Sequence, residues 1–442
     1  MNVLAIARDA LSTGPLCNAC LGRLVADRSH GLANHERGRA LRRTIALADD
    51  EPIETDREEC WVCEGESDRS KTFAERAATA ITADVETFQV GTRVPPLLEE
   101  NDRLLREEVG LDPEAGEALK TDLNREVGKR LGERIDAAVD FERPDVQVTL
   151  DLADDSVDVQ VNSAFVYGRY RKLERDIPQT RWPCSACGAS GRQRGSDCPE
   201  CGGSGYRYDR SVEQLTAPVV REAMDGESAT FHGAGREDVD ARMLGTGRPF
   251  VIEVEEPTRR TVDTDTLVDD IADFADGAVE VRDLALATYE MVARVKELDA
   301  SKTYRMDVEF DEPVASDDLA AALDALAGAT IEQRTPHRVD HRRADTVRTR
   351  KVYAADGSMT DDRTADIEIH GAGGLYVKEL VSSDEGRTEP SLAGELGVPA
   401  RVTALDVLAV DGEDEPFADP EYLREPLDES ATVSDGPARP DP

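Results

Sequence analysis

The chain has 442 residues and a formal net charge of −40, from 93 acidic and 53 basic residues. That length exceeds one ordinary domain and predicts two or three, each large enough to bury a core. No run of about 18 apolar residues occurs, and the amino terminus lacks a basic flank, an apolar stretch and a small-residue cleavage site. Neither a membrane span nor a secretory leader is expected, and the chain reads as cytoplasmic.

Such acidity argues on its face against a nucleic-acid partner, because phosphate binding depends on basic surface. The basic residues suggest another origin: only 8 of the 53 are lysine, and Asp and Glu are spread through nearly every segment. This is the composition of a halophile's cytosolic protein, whose acidity keeps the surface hydrated in concentrated salt. Periodic apolar segments set the chain apart from an acidic disordered one. Places where the sign reverses then carry information. Residues 169–194 hold seven basic residues against two acidic, and residues 333–351 again seven against two. Two basic islands predict a polyanion site, with arginines paired across a domain interface as the alternative.

In chain order, residues 1–70 carry two C-x-x-C pairs, Cys17/Cys20 and Cys60/Cys63, separated by a predicted helix, HERGRALRRTIALA. Residues 71–168 read as a small α+β module. In it EALKTDLNREVGKRLGERIDAAV has apolar spacing near the helical period, and DVQVTLDLADDSVDVQVNSAFVYGRY alternates around Asp154-Asp155-Ser156 as a β-hairpin. Residues 169–210 join the first basic island to the pairs Cys184/Cys187 and Cys198/Cys201, with glycines after each pair, as in a zinc ribbon or knuckle. The eight cysteines are thereby exhausted. Two such pairs offer four thiolates to one tetrahedral zinc, the pattern of a structural site, so one or two structural Zn²⁺ are expected. Disulfides are disfavoured in a cytosol, and a redox site of the thioredoxin kind needs one C-x-x-C rather than four.

From 211 to 411 helices and strands alternate. SVEQLTAPVVREAM and DDLAAALDALAGA read as helices; FVIEVEEP, KTYRMDVEF, HRVDHRRADTVRTRKVYAA and ADIEIHGAGG read as strands; LYVKELVSS is a strand-to-helix junction. Short connections predict a mixed or antiparallel sheet flanked by helices, an α+β fold rather than a doubly wound one. The tail, residues 412–442, is rich in Asp, Glu and Pro and is expected to be disordered.

Between the first of these helices and the strand FVIEVEEP lies Gly235-Arg236-Glu237-Asp238. An aspartate in a glycine-containing loop is ordinarily a turn residue or helix cap. Here the segment resembles the G-R-T-D motif of the TruA/TruB superfamily of pseudouridine synthases. GREDVDARMLGTGRPF, GRYRKLERDIPQTRWPC, KTYRMDVEF, QRTPHRVDHRRADTVRTRKV and GGLYVKELVSSDEGRTEPSLAGEL are similar, in the same order, to the Pus-ten family, archaeal and eukaryotic synthases that modify positions 54 and 55 of the tRNA T-arm. The resemblance spans about residues 140 to 410. It implies an isomerase acting on tRNA, with a pseudouridine synthase catalytic domain preceded by a zinc-binding accessory region that contains a THUMP domain.

Asp238 is carried over as the nucleophile, Lys378 as its cationic partner, Tyr304 as the tyrosine that stacks on the uracil and accepts the C5 proton, and Val377 as an apolar wall. Tyr376 is a second candidate for substrate contact, and Arg169, Arg171, Arg342 and Arg343 are candidate phosphate contacts. One departure stands out: Asp240 occupies a position where the superfamily's motif has glycine, which puts a second carboxylate beside the first. The chemistry asks for these residue types on its own account. Breaking the N1–C1′ bond, turning the base and rejoining it through C5 needs no redox step, phosphate or metal. A carboxylate serves as nucleophile toward the ribose or the base, or assists deprotonation of the sugar; a nearby cation offsets its desolvation, and a flipped base needs a stacking partner.

A monomer acting on the tRNA T-arm, with no cofactor for the chemistry, no nucleotide cofactor and no membrane partner, is expected. The first alternative is a non-catalytic, zinc-dependent tRNA-binding protein. The second, a THUMP-bearing thiolase or methyltransferase, requires a glycine-rich nucleotide turn, for which Gly371-Ala372-Gly373-Gly374 is a poor candidate.

Overall fold

The computed structural model describes residues 2–53, 59–338 and 344–424. The chain forms two compact units that divide between Ser163 and Ala164, each with its own core. Among the described residues no helix is long and apolar enough to cross a membrane.

The first unit contains, in order, α1 (Val3–Ser12), α2 (Asn18–Arg23), α3 (Asn34–Asp49), α4 (Ser70–Ala80), β1 (Thr87–Arg93), α5 (Pro96–Glu108), α6 (Leu119–Ile135), β2 (Ala138–Val139), β3 (Val146–Asp151) and β4 (Ser156–Val161). Its sheet runs β2-β1-β3-β4, with β1 parallel to β2 and β3, and β3–β4 the expected hairpin. Asp155 turns that hairpin in the left-handed region at φ 49°, a conformation short polar side chains tolerate. The alternating inward residues Val146, Val148 and Leu150 share one core with Phe73 of α4, Leu123 and Val127 of α6 and the buried cysteines Cys17, Cys20, Cys60 and Cys63. The stretches 1–70 and 71–168, expected as separate modules, therefore fold around a common centre as far as Ser163.

The second unit opens with β5 (Ala164–Lys172), followed by β6 (Arg192–Gln193), β7 (Ser196–Asp197), α7 (Val212–Ala223), β8 (Ser228–Gly233), β9 (Arg242–Glu255), α8 (Thr264–Ala275), β10 (Val279–Ala287), α9 (Glu290–Glu297), β11 (Ala300–Phe310), α10 (Ser316–Leu326), β12 (Thr330–Arg334), β13 (Val347–Met359), β14 (Thr364–Gly371), α11 (Val377–Ser382), β15 (Thr388–Glu389), α12 (Leu392–Leu396) and β16 (Ala400–Gly412). Ten strands form one mixed sheet, in the order β10-β5-β9-β16-β11-β14-β13-β12-β15 with β8 also on β9. All pairs are antiparallel except β16 with β9.

Three expectations are corrected here. AFVYGRY, expected to close the α+β module at residue 168, is β5 of the second sheet, pairing with β9 and β10 across its whole length. The strand read over HRVDHRRADTVRTRKVYAA begins, among the described residues, only at Val347, and residues 339–343 near its start lie outside them. Residues 412–424, assigned to the tail, are ordered. Arg294 donates to the Phe417 carbonyl at 2.9 Å, and Leu423 bridges Ala287. Residues 425–442 lie outside the described residues.

β9 is 14 residues long and changes partners midway, pairing with β16 at its start and with β5 and β8 at its end. The change is made at Gly245 and Gly247, both at positive φ. A Cβ on Gly245 would lie 2.1 Å from the Leu408 carbonyl oxygen, so only glycine fits.

Candidate active site

The segment 234–241, between β8 and β9, is fixed by buried cations acting on its backbone. From β5, Lys172 donates to the carbonyls of Ile177 at 2.7 Å and Val239 at 3.1 Å. Arg248 on β9 donates to Ala234 O at 2.8 Å, and Gln179 to Gly235 O at 2.8 Å. Within this segment Glu237 turns inward. Its Oε2 accepts from Arg248 Nε and from the Tyr170 hydroxyl, both at 2.8 Å, and Oε1 lies 3.6 Å from Lys172 Nζ. The Glu237, Lys172 and Arg248 side chains are each only 1% exposed.

With Glu237 anchored inward, Asp238 faces a cavity of about 530 Å³. Its Oδ2 lies 3.0 Å from Lys378 Nζ and 3.6 Å from Arg338 Nη1. Lys378 stands on the first turn of α11, and buried Gln333 of β12 holds the start of that helix. Its amide nitrogen donates to Tyr376 O at 2.9 Å, and its amide oxygen accepts from Tyr376 N at 2.8 Å. Arg338 is steered by buried Glu379, which accepts from its Nε at 2.6 Å.

Tyr304 enters the same cavity from β11, where it is buried and in register with Ile369 of β14 and Val407 of β16. Burial pushes its hydroxyl up to about 12; Arg248 opposes this and Asp238 adds to it, so the phenol is neutral across the physiological range. Leu375, Val377, Leu405 and Val407 supply the apolar wall. Asp238, Tyr304, Tyr376, Val377 and Lys378, dispersed along the sequence, thus line one cavity. Asp240 does not: it is 66% exposed on the rim, 3.4 Å from Lys378.

Of the basic islands' arginines, Arg338 lines this cavity, whereas Arg169 and Arg171, expected as phosphate contacts, do not. Arg169 is not available as a phosphate contact, because its guanidinium donates to the Thr246 and Gly247 carbonyls at 2.8 and 3.0 Å and pairs with Asp411. It buttresses the glycine bend of β9. Arg171 pairs with Glu280 at 2.7 Å, away from the cavity. Arg342 and Arg343 lie outside the described residues.

Sequence reasoning missed several lining residues: Trp182, Arg236, Arg248, Lys302 and Arg338. Lys302 had a usable signal, since it stands two positions from Tyr304 and a strand returns to the same face at that spacing. It makes no ion pair among the described residues. Burial pushes its ammonium down to about 8, with Arg248 adding to the shift and Glu237 opposing it. The folded value lies below the ordinary 10.5, so the folded chain binds fewer protons between the two, and this residue's contribution to stability rises with pH across that window. Its full cost is present below about pH 8. Lys302→Met is therefore expected to stabilise the protein by about 3 kcal/mol near neutrality, a gain that fades toward pH 10. Melting temperatures of both chains across that range check this, and a gain independent of pH would contradict it.

The cysteines form two clusters, Cys17/Cys20/Cys60/Cys63 and Cys184/Cys187/Cys198/Cys201, with all four sulfurs of each within 4.8 Å of one another. Cys17 and Cys63 are 3.7 Å apart, Cys184 and Cys198 3.9 Å, and Cys187 and Cys201 3.8 Å. Disulfide sulfurs would be about 2.05 Å apart. A tetrahedral ion with bonds of about 2.3 Å sets its sulfurs about 3.8 Å apart, so both clusters fit a four-thiolate metal.

Residues 165–411 match the family model described as "Pus10, C-terminal", and residues 73–151 match "Pus10 THUMP domain, archaeal". The chain is 65% identical over 430 residues to the tRNA pseudouridine synthase Pus10 of Halorubrum lacusprofundi, covering 96% of this chain and 100% of that protein. It is 43% identical over 441 residues to the protein of the same name from Methanothrix thermoacetophila, covering 92% and 96%. Among solved structures, a Cbf5-Nop10-Gar1 complex is similar over 46% of each chain, at 19% identity and a TM-score of 0.29.

Proposed function

The chain belongs to the Pus10 family and is a tRNA pseudouridine synthase, an isomerase, and on that premise we propose that Asp238 carries the reaction on uridines 54 and 55 of the tRNA T-arm. The observation that supports this most is the placement of Asp238, 3.0 Å from Lys378, on a cavity shared with Tyr304 and an apolar wall.

The isomerisation conserves atoms: N1–C1′ breaks, C5–C1′ forms, the proton on C5 is given up to solvent and N1 takes one from it. The target uridine flips into the cavity, stacks on Tyr304 and meets Val377 and Leu405. Asp238 is the nucleophile, and the charges of Lys378 and Arg338, 3.0 and 3.6 Å from its Oδ2, face the carboxylate as water is excluded. Tyr304, kept neutral, suits stacking and hydrogen-bond donation; acting as a base would require a phenolate that its burial opposes. Lys302 is a cation held at a desolvation cost inside the cavity, where an anionic phosphate of the flipped nucleotide compensates it. Tyr376 lines the cavity from the N-cap of α11. The enzyme acts in the cytoplasm.

Lys378→Met is expected to lower the maximal rate on the order of 10²-fold with tRNA affinity little changed, and Lys378→Arg to recover part of it. Single-turnover kinetics with separate binding measurements check this; a rate within threefold of wild type would remove Lys378 from the site's chemistry.

Both cysteine clusters hold structural zinc in this reading, one ion in each. Metal analysis of the native chain is expected to find two zinc ions, and a zinc-free, stably folded chain would contradict it. Pseudouridine mapping of an unmodified tRNA transcript, before and after treatment in concentrated salt, is expected to show conversion at both T-arm positions. Binding without conversion would favour the non-catalytic alternative.

A further inference from the structure

The cysteine knuckle of residues 184–201 carries a surface that a purely structural metal site does not require. Trp182 enters the knuckle through its carbonyl, which accepts from Arg207 N at 2.9 Å, and Pro183 bridges Tyr206. Its indole meets Tyr208 edge to face, with ring centres 5.5 Å apart. The Arg207 guanidinium lies 5.9 Å from the Trp182 ring and 5.7 Å from that of Tyr208, and Arg181 lies 5.3 Å from Tyr206. The aromatic rings are half-buried and the two arginines exposed.

The charges around this cluster are unusual for the chain. Arg169, Arg171, Arg175, Arg210 and Arg248 each pair with a carboxylate. Arg181, Arg192, Arg194, Arg207 and Arg236 make no ion pair among the described residues, in a protein with 93 acidic side chains. A cavity of about 680 Å³ lies here, lined by Trp182, Pro183, Cys184, Ser185, Arg207 and Arg236, with Glu200 its one carboxylate among the described residues. Trp182 and Arg236 line this cavity and the one that holds Asp238.

We propose that this second cavity is a subsite for the nucleotide adjoining the target uridine, its base stacked on Trp182 and its phosphate met by Arg207 and Arg236. Unstacked RNA bases are read by aromatic and guanidinium planes, and unpaired arginines serve the backbone. A uridine flipped into the first cavity draws its neighbour out of the stack, and Trp182 stands where the two cavities meet. The inference rests on the first cavity receiving the uridine.

The test uses the full chain carrying Trp61→Phe, which leaves Trp182 the only tryptophan, titrated with unmodified tRNA transcript while conversion is followed in parallel. Trp182 emission is expected to be quenched on binding, and the quench to disappear when the flanking nucleotide is abasic. Trp182→Ala and Arg207→Ala should each weaken tRNA binding roughly five- to hundredfold, with Trp182→Phe restoring most of it. Arg207 is exposed and donates no side-chain hydrogen bond among the described residues, so its variant reports binding rather than knuckle folding. Unchanged emission, with Arg207→Ala binding tRNA as the parent does while uridine is still converted, would overturn the subsite and leave the Asp238 reading standing. A parent chain that converts no uridine would overturn that reading, and the subsite with it.

Discussion

Glu237→Ala is expected to destabilise the second unit by about 3–5 kcal/mol, the usual cost of deleting one partner from a buried charge network. Glu237 is the acidic centre of a dry cluster in which Arg248 and Tyr170 donate to one carboxylate oxygen and Lys172 faces the other. Removing it strands two cations whose side chains are 1% exposed. Their remaining partners are the carbonyls of Ile177, Ala234, Asp238 and Val239, which are dipoles rather than charges. Since three of those carbonyls belong to the segment that presents Asp238, the loss of stability should be accompanied by loss of activity even at temperatures where the unit remains folded. Glu237→Gln, which keeps the shape and one acceptor, should fall between. Chemical denaturation of the three chains checks this, and a change below about 1 kcal/mol for Glu237→Ala would mean that the cluster does not hold the segment.

The site was legible in the sequence where a short motif named a residue, and illegible where its role depends on direction. Asp238 and Glu237 are adjacent acids in an acidic chain; nothing local says that one turns inward to Arg248 and the other outward to Lys378. Counting charge found the first basic island but could not tell a free arginine from a spent one. Arg169 is consumed by the β9 bend, whereas Arg181, twelve residues on, makes no ion pair among the described residues. The helix α8 was readable, with Asp263 capping it and Leu267, Ile271 and Ala275 on one face, yet it passed unmarked. The parallel pairing of β16 with β9 lay beyond local pattern altogether. It joins residues more than 160 positions apart, and the Arg242–Asp406 ion pair that reinforces it becomes visible only once the strands meet. The hairpin β3–β4 and the strand β14, by contrast, follow directly from alternation, because one face of each is buried.

The two carboxylates near Lys378 give the central claim its sharpest contrast. Asp238 lines the cavity and lies 3.0 Å from the ammonium; Asp240 is on the rim at 3.4 Å and mostly exposed. Their separation from Lys378 differs too little to choose between them by distance, and the cavity makes the choice. If Asp238 is the nucleophile, its amide isostere preserves shape and hydrogen bonding while removing the reacting charge, so the rate should fall on the order of 10⁴-fold or more with tRNA binding retained. Asp240→Asn should change the rate by less than about tenfold, as expected for a solvated charge. The decisive measurement is the single-turnover rate of pseudouridine formation in a tRNA transcript for the wild-type, Asp238→Asn and Asp240→Asn chains. Abolition by the first substitution alone is the predicted result; an active Asp238→Asn chain, or loss of activity only in Asp240→Asn, would contradict it.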